Sequence, residues 1–508
     1  MEEFSVLHED NRMRIKNTEQ LLSHGNKVGR EHMLRIIEAG LQASDPYYNA
    51  RLLFEREGSK LRVGFADFEA DNDPCSGIDE YDLEKIRHVY VVGAGKGVQR
   101  VAKAVEEVIG DYLTGGHVIA KHGDGAILEK IGLTHGNHPM PDYNCVDGCK
   151  AIMRLAEDIS ENDLVITIMA NGCSSLLTMP VEGVQLDDVI ELTRLLQIEK
   201  GIHSHDLNTI RNHVDQLKGG KIARLFHPAK MIHIVTADAN RTQIDSTGGF
   251  EDLLRYNFWL HSLPESTTFN DARKVLHLYD AWDACPTSIR RVLEEESSAN
   301  ETVKLAEYRK MSFRIFGIMP RKMNFTNKVM NVAQKLGYKP YLLSDIVWAE
   351  AAQTGALFGG MCNTIDRRIS SIETPCVLIM TGEMLVTVGE HTGIGGRNQE
   401  CMLAAVKHIA GSKRIVCGAV DTDGTDGPGG FNAPGAPSCL SGAIVDGYTA
   451  EEAEKKSINI MEALIHHDTS TALWALDSAI YAEQGVSLND LILGLVMEQP
   501  YKNGGYRE

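Results

Sequence analysis

Gly393-Ile394-Gly395-Gly396-Arg397-Asn398-Gln399-Glu400 stands between strand-like and helix-like text. Upstream, Cys376-Val377-Leu378-Ile379-Met380-Thr381-Gly382-Glu383 and Leu385-Val386-Thr387-Val388 read as short apolar strands with a turn between them. Downstream, Met402-Leu403-Ala404-Ala405-Val406 reads as a helix start. A glycine loop that opens onto a helix presents backbone N–H groups and the partial positive charge of the helix N-terminus, so Gly395 and Gly396 are candidate anion-binding positions. Arg397 adds a permanent cation whose planar fork suits phosphate or carboxylate. Further on, Asp421-Thr422-Asp423-Gly424-Thr425-Asp426-Gly427-Pro428 is an acid-rich turn of the kind that holds a hard cation. An anion cradle followed by a metal-type loop points to phosphoryl transfer.

Outward from this stretch, apolar runs alternate with helical patterns. Val89-Tyr90-Val91-Val92, Val118-Ile119-Ala120, Leu164-Val165-Ile166-Thr167-Ile168 and Ile232-His233-Ile234-Val235 read as buried strands separated by helices, the pattern of a mainly parallel sheet covered on both faces. Before them, Leu34, Ile36, Ile37 and Leu41 share a helical face, Leu52-Leu53-Phe54 follow, and a polar stretch runs from Glu69 to Glu84. Residues 250–320 turn charged and helical, as an insertion or variable cap would. Val329 to Leu343 returns to helix and strand, and the polar, proline-ended Ser370-Ser371-Ile372-Glu373-Thr374-Pro375 marks a domain boundary. The expected architecture is α/β with two domains: a Rossmann-like, mainly parallel domain over 1–370 and a smaller α/β domain over 371–508, with the active site in the cleft between them.

The bulk properties narrow the function. The chain has 508 residues, 43% of them hydrophobic, enough for full cores. A net charge of -19 argues against nucleic acid or anionic membranes as main partners. No apolar run approaches membrane-spanning length, and Met1-Glu2-Glu3-Phe4-Ser5 lacks the charged and apolar regions of a signal peptide, so a cytoplasmic protein is expected. The ten cysteines are scattered without C-x-x-C pairs and read as reduced thiols.

Val91-Val92-Gly93-Ala94-Gly95-Lys96-Gly97 closes the first clear strand, and Val98, Val101, Ala102, Val105 and Ile109 mark the helix after it. A glycine turn between strand and helix accommodates a phosphate or carboxylate, which makes Gly93 and Gly95 candidates. The dinucleotide fingerprint fails, because valine holds position 98 and the next strand leads into Lys121-His122 rather than an acid. The P-loop pattern fails too, since Lys96 is followed by glycine.

Gly382-Glu383, Gly395-Gly396-Arg397-Asn398-Gln399-Glu400, Asp423-Gly424-Thr425-Asp426-Gly427-Pro428 and Ala443-Ile444-Val445-Asp446-Gly447 together resemble the C-terminal domain, known as MOFRL, of bacterial-type glycerate 2-kinases, long mislabelled as hydroxypyruvate reductases. The N-terminal half adds the family's Gly-Ala-Gly-Lys element at Gly93 to Lys96 and a His-Pro-x-Pro-Asp turn at His138 to Asp142. Ala170-Asn171-Gly172-Cys173-Ser174-Ser175-Leu176 matches a further loop in position and partly in residues. Backbone N–H groups of Gly172 and Cys173 and the Ser174 hydroxyl would bind phosphate oxygens there. Leu207-Asn208-Thr209-Ile210-Arg211 and Leu217-Lys218-Gly219-Gly220-Lys221 resemble another signature, with Arg211 and Lys218 as cations open to either a site or a surface role.

The resemblance implies ATP- and Mg²⁺-dependent phosphorylation of a hydroxyl on glycerate or a related small sugar acid. Lys96 and Arg397 would stabilise the transferring phosphoryl group and the carboxylate, and Asp238, Asp423 and Asp426 would hold the metal. The hydroxy acid and ATP are the expected partners, and a homodimer is left open. One departure stands out: after the strand ending at Val235 the text reads Thr236-Ala237-Asp238-Ala239-Asn240-Arg241-Thr242, so Arg241-Thr242 replaces the family's Gly-Asp. Arg241 would suit a substrate more anionic than glycerate. Two other readings remain at this point, an NAD(P)-linked hydroxypyruvate-type reductase and a family member without kinase activity that acts on a sugar acid.

Overall fold

A computed structural model describes residues 13–123, 125–240, 248–320, 325–388, 393–483 and 490–498. The strands, in chain order, are β1 (Phe54–Glu57), β2 (Lys60–Val63), β3 (Asp79–Asp82), β4 (Val89–Ala94), β5 (Gly115–Lys121), β6 (Gly132–Gly136), β7 (Leu164–Met169), β8 (Lys230–Val235), β9 (Phe313–Gly317), β10 (Lys339–Val347), β11 (Cys376–Gly382), β12 (Ile415–Asp421), β13 (Gly442–Asp446), β14 (Ala479–Ile480) and β15 (Asp490–Val496). The chain divides into two compact units, one over 46–322 and one that joins 1–45 to 323–508.

The 46–322 unit is built on a six-stranded sheet of order β6-β5-β4-β7-β8-β9, parallel throughout. Counted from β4 this is the 3-2-1-4-5-6 order of doubly wound folds, in which the chain reverses its direction of travel between the two central strands. The expected parallel sheet is therefore present, and its central strands are apolar because both faces are covered: all six residues of β7 are buried. A small antiparallel sheet, β1-β2-β3, precedes it, and its third strand lies in the stretch that reads as merely polar. Residues 250–320 hold four short helices, Phe250–Arg255, Phe269–Leu278, Thr287–Glu295 and Leu305–Tyr308, preceding β9.

The second unit carries a mixed sheet of order β10-β11-β15-β12-β13-β14, with β10 parallel to β11 and the remaining pairs antiparallel. Alternation along β12 explains its layers. Ile415, Cys417 and Ala419 pack with Phe358 and Met402 from the helices Ala351–Asp366 and Arg397–Ile409. Val416 and Val420 pack with Met33, Ile37 and Val329 from the helices Lys27–Ala43 and Phe325–Lys335.

This differs from a boundary near residue 370. The helix 325–335, strand β10 and helix 351–366 complete the second sheet and its cover, and the first 45 residues return to the same unit. Arg30 fixes that return: its Nε lies 2.6 Å from Asp446 Oδ2 at the end of β13, and both side chains are fully buried. Leu385-Val386-Thr387-Val388 is not a strand; Leu385 forms only an isolated bridge with Glu350. All ten cysteines are free of disulfides. No helix among the described residues is long and apolar enough to cross a membrane.

Candidate functional site

In the 46–322 unit, three of the singled-out loops meet at the carboxyl ends of β4 and β7, where strand order reverses. Crevices at such points are the usual ligand sites of open α/β sheets. The loops interlock through their backbones: Lys96 N donates to Asn171 O at 2.7 Å, and Gly95 N to Ile119 O at 3.1 Å. Gly93 and Gly95 lie against the β7 backbone, where a Cβ would strike the carbonyl oxygens of Ile168 and Ala170, so these glycines serve close strand approach. Gly172 has φ +80°, and a Cβ there would come within 2.9 Å of the His138 ring and 3.6 Å of Lys96 Cγ. The lysine stem and the His138 ring therefore flank this glycine. Ser175 Oγ donates to Pro139 O at 2.8 Å and ties the loop to the proline turn. Cys173 is buried, its thiol 3.3 Å from Trp259 O, and burial pushes its acidity down to a pKa of about 12, so it packs rather than reacts.

Ser174 is partly exposed, and behind it stand two buried side chains. Asn208 Nδ2 donates to Ser174 Oγ at 3.0 Å, and His261 Nε2 lies 2.9 Å from the same oxygen. His261 falls in the stretch read as a variable cap, and nothing in its local text marks it. Burial, with Lys218 and Arg211 nearby, holds its imidazole well below the ordinary 6.5, so it is neutral.

The two cations of the next signature separate in role. Lys218 is buried and pairs with Asp215 Oδ2 at 2.6 Å while donating to Thr178 Oγ1 at 3.0 Å, so it is an internal ion pair and not an anion site. Arg211 is 6% exposed, and among the described residues its hydrogen bond is to Thr193 Oγ1 at 2.8 Å, with no carboxylate in ion-pair contact. Burial lowers its pKa to about 10. Asp238 follows β8 and accepts from Asn240 N at 3.0 Å. Arg241 lies outside the described residues.

In the other unit, Arg397 opens the helix Arg397–Ile409. Its Nε lies 2.7 Å from Asp490 Oδ1, its Nη2 3.0 Å from Asp421 Oδ2, and its Nη1 3.4 Å from Glu383 Oε1. Burial works against the charge, but Asp490 and Asp421 outweigh it and raise the Arg397 pKa above its ordinary value. Asp421 is pushed well above the usual carboxylate range by burial and then by Asp423 beside it. Asp423 Oδ1 accepts from the amide and hydroxyl of Thr425, each at 2.7 Å.

The glycine loop does not leave the helix N-terminus open. Asp426 Oδ1 accepts from the amide and side chain of Asn398, both at 3.1 Å. Its Oδ2 accepts from Gln399 N at 2.9 Å and Gln399 Nε2 at 3.1 Å. The protein supplies its own anion at the position read as a phosphate cradle. Gly396 lacks a side chain because a Cβ would run into the Asp426 carboxyl group, and at Gly395 it would meet the Thr469 hydroxyl. Asp426 is thus a helix cap and not a metal ligand, since four donors occupy its oxygens. Among the described residues no group of three His, Cys, Asp or Glu side chains is arranged to hold a metal ion, so Asp238, Asp423 and Asp426 do not form one cluster.

Comparison with known proteins supplies the family. Residues 32–294 match the family described as "Domain of unknown function (DUF4147)", and residues 376–490 match the MOFRL family. A glycerate 2-kinase of Pyrococcus horikoshii is 28% identical over 478 residues, which cover 92% of this chain and 97% of that protein. A D-glycerate 2-kinase of Thermotoga maritima is 28% identical over 411 residues, 80% of this chain and 91% of the relative. The crystal structure of a glycerate kinase from Thermotoga maritima matches with a TM-score of 0.71 at 25% identity, covering 92% of this chain and 99% of the other. With both domains matched in order along the chain, this protein belongs to the glycerate 2-kinase family, phosphotransferases with an alcohol acceptor.

Proposed function

We propose that the chain is an ATP- and Mg²⁺-dependent kinase that phosphorylates a hydroxyl of glycerate or of a related small sugar acid. The observation that carries this reading is Arg397 held between Asp421 and Asp490 at a helix start. A guanidinium fixed in place by buried carboxylates is preorganised for a phosphoryl group and needs little rearrangement to meet it. Lys96, at the crevice of the parallel sheet in the 46–322 unit, would neutralise an anionic oxygen of the substrates there. Phosphoryl transfer asks little covalent chemistry of the protein, so positioning and charge neutralisation are the main tasks.

The residues also fit Mg²⁺. Asp421, Asp423 and Asp490 are all buried, and Arg397 is paired with Asp421 and Asp490. Asp421 and Asp423 would hold the ion, with phosphate oxygens and water completing the shell that Mg²⁺ prefers. Bound there, the metal supplies Lewis-acid neutralisation of phosphate charge.

The reductase reading keeps one supporting observation, the 3-2-1-4-5-6 strand order shared with dinucleotide folds. The test offers both chemistries to the purified protein. ADP release from ATP with D-glycerate, or with four- and five-carbon sugar acids, is expected, along with its loss in EDTA. NAD(P)H oxidation by hydroxypyruvate without any ADP release would overturn the kinase reading.

A further inference from the structure

Ser174 has an unusual set of neighbours. Its oxygen receives the Asn208 amide N–H at 3.0 Å and sits 2.9 Å from His261 Nε2. Asn208 is 2% exposed and His261 1% exposed, while Ser174 itself keeps access to solvent at the crevice. Each partner also carries a buried atom without a hydrogen-bond partner, Asn208 Oδ1 and His261 Nδ1.

The tautomer of His261 decides what the hydroxyl can do. With the proton on Nδ1, a buried N–H would be left without an acceptor, a rare and costly arrangement. With the proton on Nε2, the unsatisfied atom is an acceptor, which buried structure tolerates better. The second assignment is the favoured one. Ser174 Oγ then accepts from both Asn208 and His261, which fills its two lone pairs. Only its proton remains to be used, and it is free to turn to the solvent side.

We propose that Ser174 is a dedicated hydrogen-bond donor to an oxyanion of the substrates, oriented by Asn208 and His261 as positioning residues. The oxyanion is a carboxylate of the hydroxy acid or a phosphate of the nucleotide, and naming those two sources rests on the kinase reading. Charge for the same anion comes from Lys96, whose stem lies against Gly172, two residues before Ser174. A nucleophilic role for Ser174 is disfavoured. His261 would have to accept the serine proton at Nε2, and among the described residues no acid lies against Nδ1 to support the charge that follows.

The experiment is titration calorimetry on the full chain with three probes: D-glycerate, a non-hydrolysable ATP analogue with Mg²⁺, and inorganic phosphate. Ser174→Ala should weaken one of the first two about 10- to 100-fold and spare the other, which identifies the source of the oxyanion. Ser174→Thr keeps the hydroxyl and should keep most of the affinity. Asn208→Leu should weaken the same ligand several-fold in the wild-type background and have no further effect in Ser174→Ala, because no hydroxyl is left to orient. Thermal denaturation of each variant separates this from unfolding. Unchanged affinity for every probe in Ser174→Ala, or a full Asn208→Leu effect in the Ser174→Ala background, would overturn the proposal. Wild-type protein that binds inorganic phosphate yet forms no ADP removes the kinase reading and leaves the Ser174 contrast readable on phosphate. Wild-type protein that binds none of the three removes the proposal.

Discussion

Asp421 and Asp490 are register partners on the neighbouring antiparallel strands β12 and β15, and Arg397 bridges the pair from the start of a helix. The sheet sets the two carboxylates side by side, and the planar fork of Arg397 bonds to both at once. Met384 N donates to Asp490 Oδ2 at 2.8 Å and Asn398 Nδ2 to its Oδ1 at 2.7 Å, so the acid that orients Arg397 is itself held from two sides.

Arg397→Lys should therefore lower kcat/KM about 100-fold or more. An ammonium cannot reproduce the geometry in which Nε meets Asp490 and Nη2 meets Asp421, a change on the scale of a few kcal/mol. Steady-state kinetics on the best substrate give the ratio. An unchanged kcat/KM would remove Arg397 from the reaction.

Burial raises the Asp490 pKa to about 6, with Arg397 opposing the shift. Its ordinary value is 3.8, so between about pH 4 and pH 6 the folded state holds a proton that the unfolded chain has released. For a carboxyl whose folded pKa is raised, stability falls as pH rises through that window, with a slope of at most about 1.4 kcal/mol per pH unit. Asp490→Asn removes the titration. Urea denaturation at pH 4, 5 and 6 should show this downward contribution in the wild type and not in the variant. Identical pH slopes in the two proteins would contradict it.

Much of this site was legible as residues but not as roles. The parallel strands β4, β5, β7 and β8 stand out because their text carries continuous apolar runs, whereas the edge strands β6, Gly-Leu-Thr-His-Gly, and β9 do not. Arg397 and Asp423 sit in motifs dense enough to stand out locally. What the text could not show was which donors fill which carboxylate. Asp426 reads as a metal ligand because an Asp-Gly turn looks the same whether its oxygens meet a cation or the N-terminus of a distant helix. Lys218 looks like an anion site until Asp215, three residues away, is seen to take its charge. His261 carries no local signal at all, since its meaning comes from Ser174 at the end of another strand. The second unit was hardest to delimit because helix 27–43 lies far from its partners in sequence and is joined to them by tertiary contacts such as Arg30 with Asp446.

That contact gives a stability test. Arg30 and Asp446 are buried together, and removing one partner strands the other's charge in a dry interior, at a cost of about 3–5 kcal/mol. Asp446→Ala should lower the urea midpoint accordingly. Arg30→Met with Asp446→Leu, which removes both charges, should recover much of the loss. A double variant no more stable than Asp446→Ala alone would show that the geometry of this contact matters more than its charge balance.

Asp423 and Asp426 should respond in opposite ways. Asp426→Ala leaves the amides of Asn398 and Gln399 without their acceptor and should destabilise the fold by about 2–4 kcal/mol. Whatever activity remains should show the wild-type Mg²⁺ requirement. Asp423→Asn should leave stability close to wild type and raise the Mg²⁺ concentration needed for half-maximal rate, because a neutral amide binds a hard cation poorly. A raised Mg²⁺ requirement in Asp426→Ala, with unchanged urea stability, would return Asp426 to the metal.

Arg211 and Lys218 form the sharpest contrast between function and packing. Both cations are buried, but Lys218 is neutralised by Asp215 and Arg211 has no carboxylate in contact among the described residues. Lys218→Met strands the Asp215 carboxylate and should destabilise the protein by about 3–5 kcal/mol. Arg211→Met removes a charge that burial already disfavours, so its stability should hold or rise. Asp215 acts on Arg211 but is already paired with Lys218, and among the described residues no acid touches Arg211, so a substrate anion would supply the countercharge. Arg211→Met should then raise the KM for the hydroxy acid 10-fold or more while thermal stability stays at or above wild type. Loss of stability with an unchanged KM would make Arg211 a packing residue and leave recognition of the acid to Lys96 and Ser174.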